Sequence, residues 1–419
     1  MPEIDWSRWL RAGDRLVASH MSAEPAALLA SLAAHDSLPQ PLHLLLGVPF
    51  TEAAAALPPG CEITTFGGMG SAAALAAKRP VAVSPLVYGR CEQVFDEGAW
   101  TCDVALVSLA RDARGRLFLG PSHGPVLAAA RRARHVIAQV SPHLPALPGA
   151  EWPADLPPAA TLEVDDPACA TPQAAPGPAE AAIGRQVAAL VPDGACLQVG
   201  IGALPSALLQ ALQWHRHLGV HTGMFSDALH ALVVAGVVDG SRKPVDAGLA
   251  VAGAVCGTPA LFDAVRRDPG PIVLRRPGET HAAEAIASQD GMFCVNSAME
   301  VDLLGHANAE AVPGAQGRWR YVGGVGGLPD FVRGARAARG GRSVIALPAR
   351  SPGGQPRIVA RLNGPCTLAA CDADTVVTEH GVAHLRDAPL ATRAQRMIAI
   401  AHEQDRDALQ AAARTLGLL

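Results

Sequence analysis

The stretch ACLQVGIGALPSALLQALQWHRHLGVHTGMFSDALHALVVAG, residues 195–236, carries one rhythm twice over. A short apolar run, ACLQVG, gives way to the Ala/Leu-rich helical period LPSALLQALQW, and LGVH then gives way to SDALHALVVAG. The rhythm continues downstream, with LAVAGAV before TPALFDAVRRD and PIVLRR before HAAEAIAS. Strand and helix alternating in this way predict a largely parallel sheet covered on both faces. In the first half, the runs at 42–46, 81–83, 104–109 and 136–140 read as buried strands. Residues 125–134 read as a helix with Arg131, Arg132 and Arg134 near its end, where the helix dipole favours cations. The fold class is therefore α/β, in two halves.

The chain has 419 residues, enough for two domains at about 100–200 residues each. Ten of the forty residues at 141–180 are proline, which fixes the backbone, removes a donor and excludes a long helix there. A short β-rich piece at 161–164 makes this segment an ordered crossover, and the boundary is expected near Pro178, giving domains 1–178 and 179–419. With 49% hydrophobic and 17% charged residues the chain has material for a core and too little charge for disorder. A formal charge of -4 gives no general attraction to phosphate backbones or anionic lipid, and 4% aromatics leave no platform for stacking bases. No nucleic-acid or membrane partner is expected. The acids and arginines of MPEIDWSRWLRAGDR do not make a secretory signal, which places the chain in the cytoplasm. Nine cysteines without C-x-x-C spacing read as free, mostly buried thiols.

Two glycine turns stand out. Gly200, Ile201, Gly202, Ala203 and Leu204, followed by Pro205, lie where a strand passes into a helix. Such a turn lets a ligand approach the backbone and offers the unpaired N–H groups of a helix start; it is equally a plain tight turn. A dinucleotide fingerprint would need glycine at Pro205 and an acid about 20 residues on, and 219–221 supply none. The second turn, Gly323, Gly324, Val325, Gly326 and Gly327, precedes a helix to about Ala338. Four glycines in five residues favour ligand contact there. Arg333 and Arg336 on that helix would meet a phosphate or form a solvated face. His215 with His217, and His380 with His384, have the spacing of metal ligands but lack a third ligand and the zinc protease glutamate, so no metal is expected. No G-x-S-x-G elbow occurs. Glu300 and Asp302, on a strand expected to begin at Met292, would share one face, either a polar site or, on exposure statistics, a solvent-facing edge.

These features fall inside longer matches. AGDRLVASHMSAEP (12–25), LQVGIGALPSALL (197–209), LGVHTGMFSDAL (218–229), VNSAMEVDLLGHANAE (295–310), GGVGGLPDFVRGA (323–335), VVTEHGVAHLRD (376–387) and IAIAHEQDRDAL (398–409) come in order along nearly the whole chain. Together they resemble the acetyl-CoA hydrolase/transferase family, which includes 4-hydroxybutyrate and succinyl-CoA:acetate CoA-transferases. The resemblance implies two similar open α/β domains with the site in the cleft between them, coenzyme A held mainly by the second, and a homodimer or larger assembly. It implies no permanently bound cofactor, with CoA or acyl-CoA as substrate and a small carboxylate as acceptor. The turn Gly200–Leu204 would contact CoA. Asn296 with Gly323, Gly324, Gly326 and Gly327 would lie near the thioester and offer N–H groups to the developing oxyanion. His20 and His221 would face the pocket.

In that family a glutamate attacks the acyl-CoA, giving an acyl-glutamyl anhydride and then a glutamyl-CoA thioester. It sits in a His-(Ser/Thr)-Glu-Met run, and the matching run here is His221-Thr222-Gly223-Met224. Gly223 has no side chain and cannot form an anhydride. Two nearby motifs depart as well: Leu328-Pro329-Asp330-Phe331 stands for Gln-x-Asp-Phe, and Thr367-Leu368-Ala369-Ala370-Cys371 lacks the arginine of the usual run. Glu300 is a weak substitute nucleophile or base, and water activated by His221 or His20 is the other route to acyl-CoA hydrolysis. The rival expectation is a non-catalytic CoA or acyl-CoA sensor, or partner of an active paralogue.

Overall fold

Mostly apolar runs of three to eight residues are too short to bury a helix face but long enough to cross a sheet, and they set the frame of both halves. A computed structural model describes residues 4–419, and the chain divides into two compact units. The first holds residues up to Pro172 together with Met224–Asp227 and Val251–Thr280; the second holds Gln173–Gly223, Ala228–Ala250 and His281–Leu419. The first division thus lies close to Pro178, and two later segments, which a single boundary does not describe, return to the first unit.

In the first unit seven strands run in the order Val81–Val83, Cys61–Thr65, Leu42–Gly47, Arg15–Ala18, Val104–Arg111, His135–Ser141 and Ala160–Glu163, all parallel. Leu117–Leu119 adds an antiparallel strand. The helix Ala26–Ala33 turns Leu28, Leu29 and Leu32 onto this sheet, where they meet Leu16, Leu44, Leu106 and Ile137 in a fully buried core. The helix expected at 125–134 covers only Val126–Ala130; Arg131 and Arg132 are exposed beyond its end.

The second unit repeats the plan. Its strands run Gly219–Phe225, Cys196–Val199, Met292–Ser297, Arg342–Ala346, Thr375–Thr378 and the antiparallel Gly381–His384. Every helix expected in 195–288 is present, within a few residues: Ala203–Ala211, Asp227–Val234 and Ala283–Ala287, with Pro259–Arg267 in the segment that belongs to the first unit. In Leu328–Ala337, Phe331 and Ala335 bury against Met292 and Cys294, while Leu328 and Val332 join Ile345 and Val376.

One expectation is corrected. The strand from Met292 does not run on to Asp302; it stops at Ser297, and Glu300–Asp302 belongs to a separate small sheet with Ala307–Asn308 and Ile358–Val359. Glu300 and Asp302 are buried, at 7% and 6% exposure, and do not face solvent. The fold tolerates them because both carboxylates are saturated with donors. Asp302 accepts from the backbone of Leu304, Gly305 and His306.

Candidate functional site

In the second unit the strand Cys196–Val199 lies between Gly219–Phe225 and Met292–Ser297, so the chain leaves its carboxyl end in opposite directions on its two sides. Such a reversal opens a crevice beyond the strand ends, the usual place for a ligand in an open α/β sheet. The turn 200–204 stands there. Gly202 has φ +117° and ψ -174°, a conformation closed to side chains, and precedes the helix Ala203–Ala211. Gly200 has no such excuse: its φ is ordinary, and a Cβ built on it would meet nothing within 4 Å. Neither folding nor packing demands glycine at 200, and the space above it is open.

A cavity of about 330 Å3 adjoins this turn, bounded by Ala203 and Leu204, by Ser297 at the end of one strand and Pro348 just past another, and by Arg350, Arg357 and Glu180. Asp405 holds Arg350 through Nε at 2.9 Å. Burial pushes the Arg357 guanidinium below its ordinary range, partly offset by the charges of Glu180 and Glu379. The cavity is thus lined by small side chains and balanced charge, suited to an uncharged, hydrogen-bonding chain more than to a bare phosphate.

Asn296 lies at the end of its strand, and its amide is paired with Gln198 on the neighbouring strand, with Nδ2 donating to Oε1 at 3.0 Å and Gln198 Nε2 donating back at 3.2 Å. Gln198 was not singled out from sequence; a polar residue inside the otherwise apolar ACLQVG was the available signal. On the other side Thr222 Oγ1 donates to the Val199 carbonyl at 3.1 Å. Counting on from the pairs Gly219 with Cys196 and Val220 with Leu197 brings Gly223 level with Gly200.

Gly223 also meets the second glycine turn, through a residue that the sequence reading used only as the start of a helix. The His281 ring packs against both. A Cβ at Gly223 would stand 3.0 Å from His281 Nε2, and one at Gly327 would stand 2.7 Å from the same atom. Phe331 closes the face of the ring, with centroids 4.8 Å apart. His281 is buried, and burial, helped by neighbouring His221, pushes its pKa down to about 3. It is a neutral imidazole at physiological pH. His221 is itself buried on the strand.

The other glycines of 323–327 have separate reasons. Gly323 packs on the Ala309 carbonyl, which a Cβ would approach to 2.2 Å, and Gly326 takes φ +53°. Gly323, Gly324, Gly326 and Gly327 are all half-buried. The structure therefore gathers Gly200–Leu204, Asn296, His221, Gly223 and the turn 323–327 at one end of the second unit's sheet.

Glu300 is placed differently. Its carboxylate accepts from the N–H groups of Asn363 and Gly364, from Asn363 Nδ2 and from Asn308 Nδ2, at 2.7–3.1 Å. A carboxylate that four donors hold pins a loop and has its lone pairs engaged. His20 belongs to the first unit, where its Nε2 bonds Tyr88 Oη at 2.9 Å and its ring packs on Gly47 and Gly124. Burial pushes its pKa down to about 4. Arg333 and Arg336 lie on the surface and bond Asp372 and Asp387. The paired histidines are engaged elsewhere: His215 with the Val191 carbonyl, His217 with Asp239, His384 with Thr375. Among the described residues no three His, Cys, Asp or Glu side chains gather to hold a metal.

The family model of the acetyl-CoA hydrolase/transferase C-terminal domain matches residues 257–413. A 4-hydroxybutyrate coenzyme A transferase of Clostridium kluyveri is 34% identical over 78% of this chain and 76% of its own. The crystal structure of RipA from Yersinia pestis superposes with a TM-score of 0.88 at 29% identity, covering 98% of this chain and 96% of that one. The structure of a 4-hydroxybutyrate CoA-transferase from Porphyromonas gingivalis gives 0.80 at 28% identity, covering 98% and 95%.

Proposed function

Because the chain belongs to the acetyl-CoA hydrolase/transferase family, we propose that it binds CoA or acyl-CoA in the second unit and does not exchange the acyl group. Gly223 carries this reading. Transfer in this family runs through a carboxylate that attacks the thioester, and the position matching it has no side chain, although it stands level with Gly200 and next to the turn at Gly327. The features that would hold a thioester are kept: the open space over Gly200, the cavity beside Leu204, and the half-buried turn 323–327. Glu300 is a poor replacement nucleophile while four donors hold it.

The ligand class is an acyl-CoA, and a small carboxylate would bind only as an unused acceptor. The role that fits is a sensor, or a partner of an active paralogue, working in the cytoplasm as a homo-oligomer. Among the described residues no helix is long and apolar enough to cross a membrane. Calorimetry with acetyl-, succinyl- and butyryl-CoA, run beside an assay for released CoA, tests the reading. Saturable binding without release supports it. Release well above background would make the protein a hydrolase using water, and absence of binding would remove both readings.

A further inference from the structure

His281 takes part in no motif of the family resemblance, yet it touches both Gly223 and Gly327. We propose that His281 and Gly223 are a matched pair: the imidazole occupies the room that a side chain at 223 would need, so that the site holds a thioester but is closed to the carboxylate chemistry. This deepens the reading above and rests on it for the ligand, though not for the fit between the two residues.

Three residues pack against the ring. Gly223 leaves 3.0 Å between its Cβ position and Nε2, and 3.1 Å to Cε1, closer than side chains normally approach. The Gly327 Cβ position lies 2.5 Å from Cδ2 and 2.7 Å from Nε2, so the ring already packs against that glycine. Phe331 stands edge-on against its face. A group at 223 has to displace the ring, and both glycines are needed to seat it. Restoring a glutamate at 223 is therefore not enough to restore transfer; His281 has to shrink as well.

Two measurements test the pairing. The first is a melting cycle without ligand on the unaltered protein, Gly223→Ala, His281→Ala and the double variant. We expect Gly223→Ala to lower the midpoint by about 2–4 °C and to cost much less in the His281→Ala background; equal losses in both backgrounds overturn the pairing. The second compares Gly223→Glu with Gly223→Glu/His281→Ala after incubation with acetyl-CoA. In the competent variant the carboxylate oxygen attacks the thioester carbonyl and CoA leaves as thiolate. The thiolate then attacks the glutamyl carbonyl of the anhydride and releases acetate, leaving glutamyl-CoA on the protein. Intact-mass spectrometry should show this adduct at least tenfold more in the double variant, and equal adduct from the single variant contradicts the proposal. Calorimetry of the unaltered protein with acetyl-CoA separates the two readings: lost binding sinks the proposed function and leaves the melting cycle to decide the pairing.

Discussion

Three glycines in the site have three physical reasons, and substitution separates them. Gly202 is set by its backbone: at φ +117° an alanine strains the chain by about 1–3 kcal/mol. Gly323 is set by packing against the Ala309 carbonyl. Gly200 is set by neither, so Gly200→Ala should leave the unfolding free energy within about 0.5 kcal/mol of the unaltered protein while weakening CoA binding at least tenfold by calorimetry; unchanged affinity would mean that the open space is not the ligand's. Glu300→Gln makes the opposite case. It places an NH2 group among donors that point at the carboxylate, and should cost about 3 kcal/mol of stability in chemical denaturation. The local motif made Gly223 legible in the sequence. His281 was not, since a contact between residues 58 positions apart has no local signature. The burial of Glu300 was missed for a similar reason: its partners Asn363 and Gly364 come from a distant loop.

At the scale of elements, the alternation over 195–288 gave the right strands and helices because each short apolar run is bounded by a turn residue and followed by a 3.6-residue period. The strand past Ser297 was overextended because Glu300 and Asp302 keep the two-residue alternation while the chain changes sheets. Pairing partners are a tertiary matter, and alternation does not encode them. The helix Ala203–Ala211 owes its position to Pro178–Ala188, which crosses it closely at Gly184: a Cβ there would lie 2.7 Å from the Ala207 carbonyl carbon. Gly184→Ala therefore pushes against backbone. It should cost about 1–3 kcal/mol and, by moving the start of the helix, weaken CoA binding more than the stability loss alone explains. Calorimetry well below the melting midpoint checks this, and unaltered affinity would show that the helix position is not shared with the site.

At the scale of the molecule, buried histidines make both units sensitive to acid. Burial pushes His20 and His123 down to about 4 in the first unit, and burial with His221 pushes His281 down to about 3 in the second, from an ordinary 6.5. The unfolded chain takes up these protons first, so the stability is complete above pH 6.5 and is lost as pH falls toward the folded values. By pH 5 each ring costs about 2 kcal/mol. Melting midpoints should drop between pH 7 and 5, and His20→Gln should flatten the drop in the first unit; a flat profile over this range would contradict the burial. The return of 224–227 and 251–280 to the first unit was not legible in the sequence, because contacts between segments far apart along the chain leave no trace in composition or proline density.

The account turns on a thioester that is held but not opened. The direct measurement is transfer of label from radioactive acetate into acetyl-CoA, at protein concentrations where calorimetry shows the site filled. The prediction is a filled site and no label in acetyl-CoA beyond the protein-free control; label appearing in proportion to protein concentration would show that acyl exchange proceeds without a carboxylate at 223.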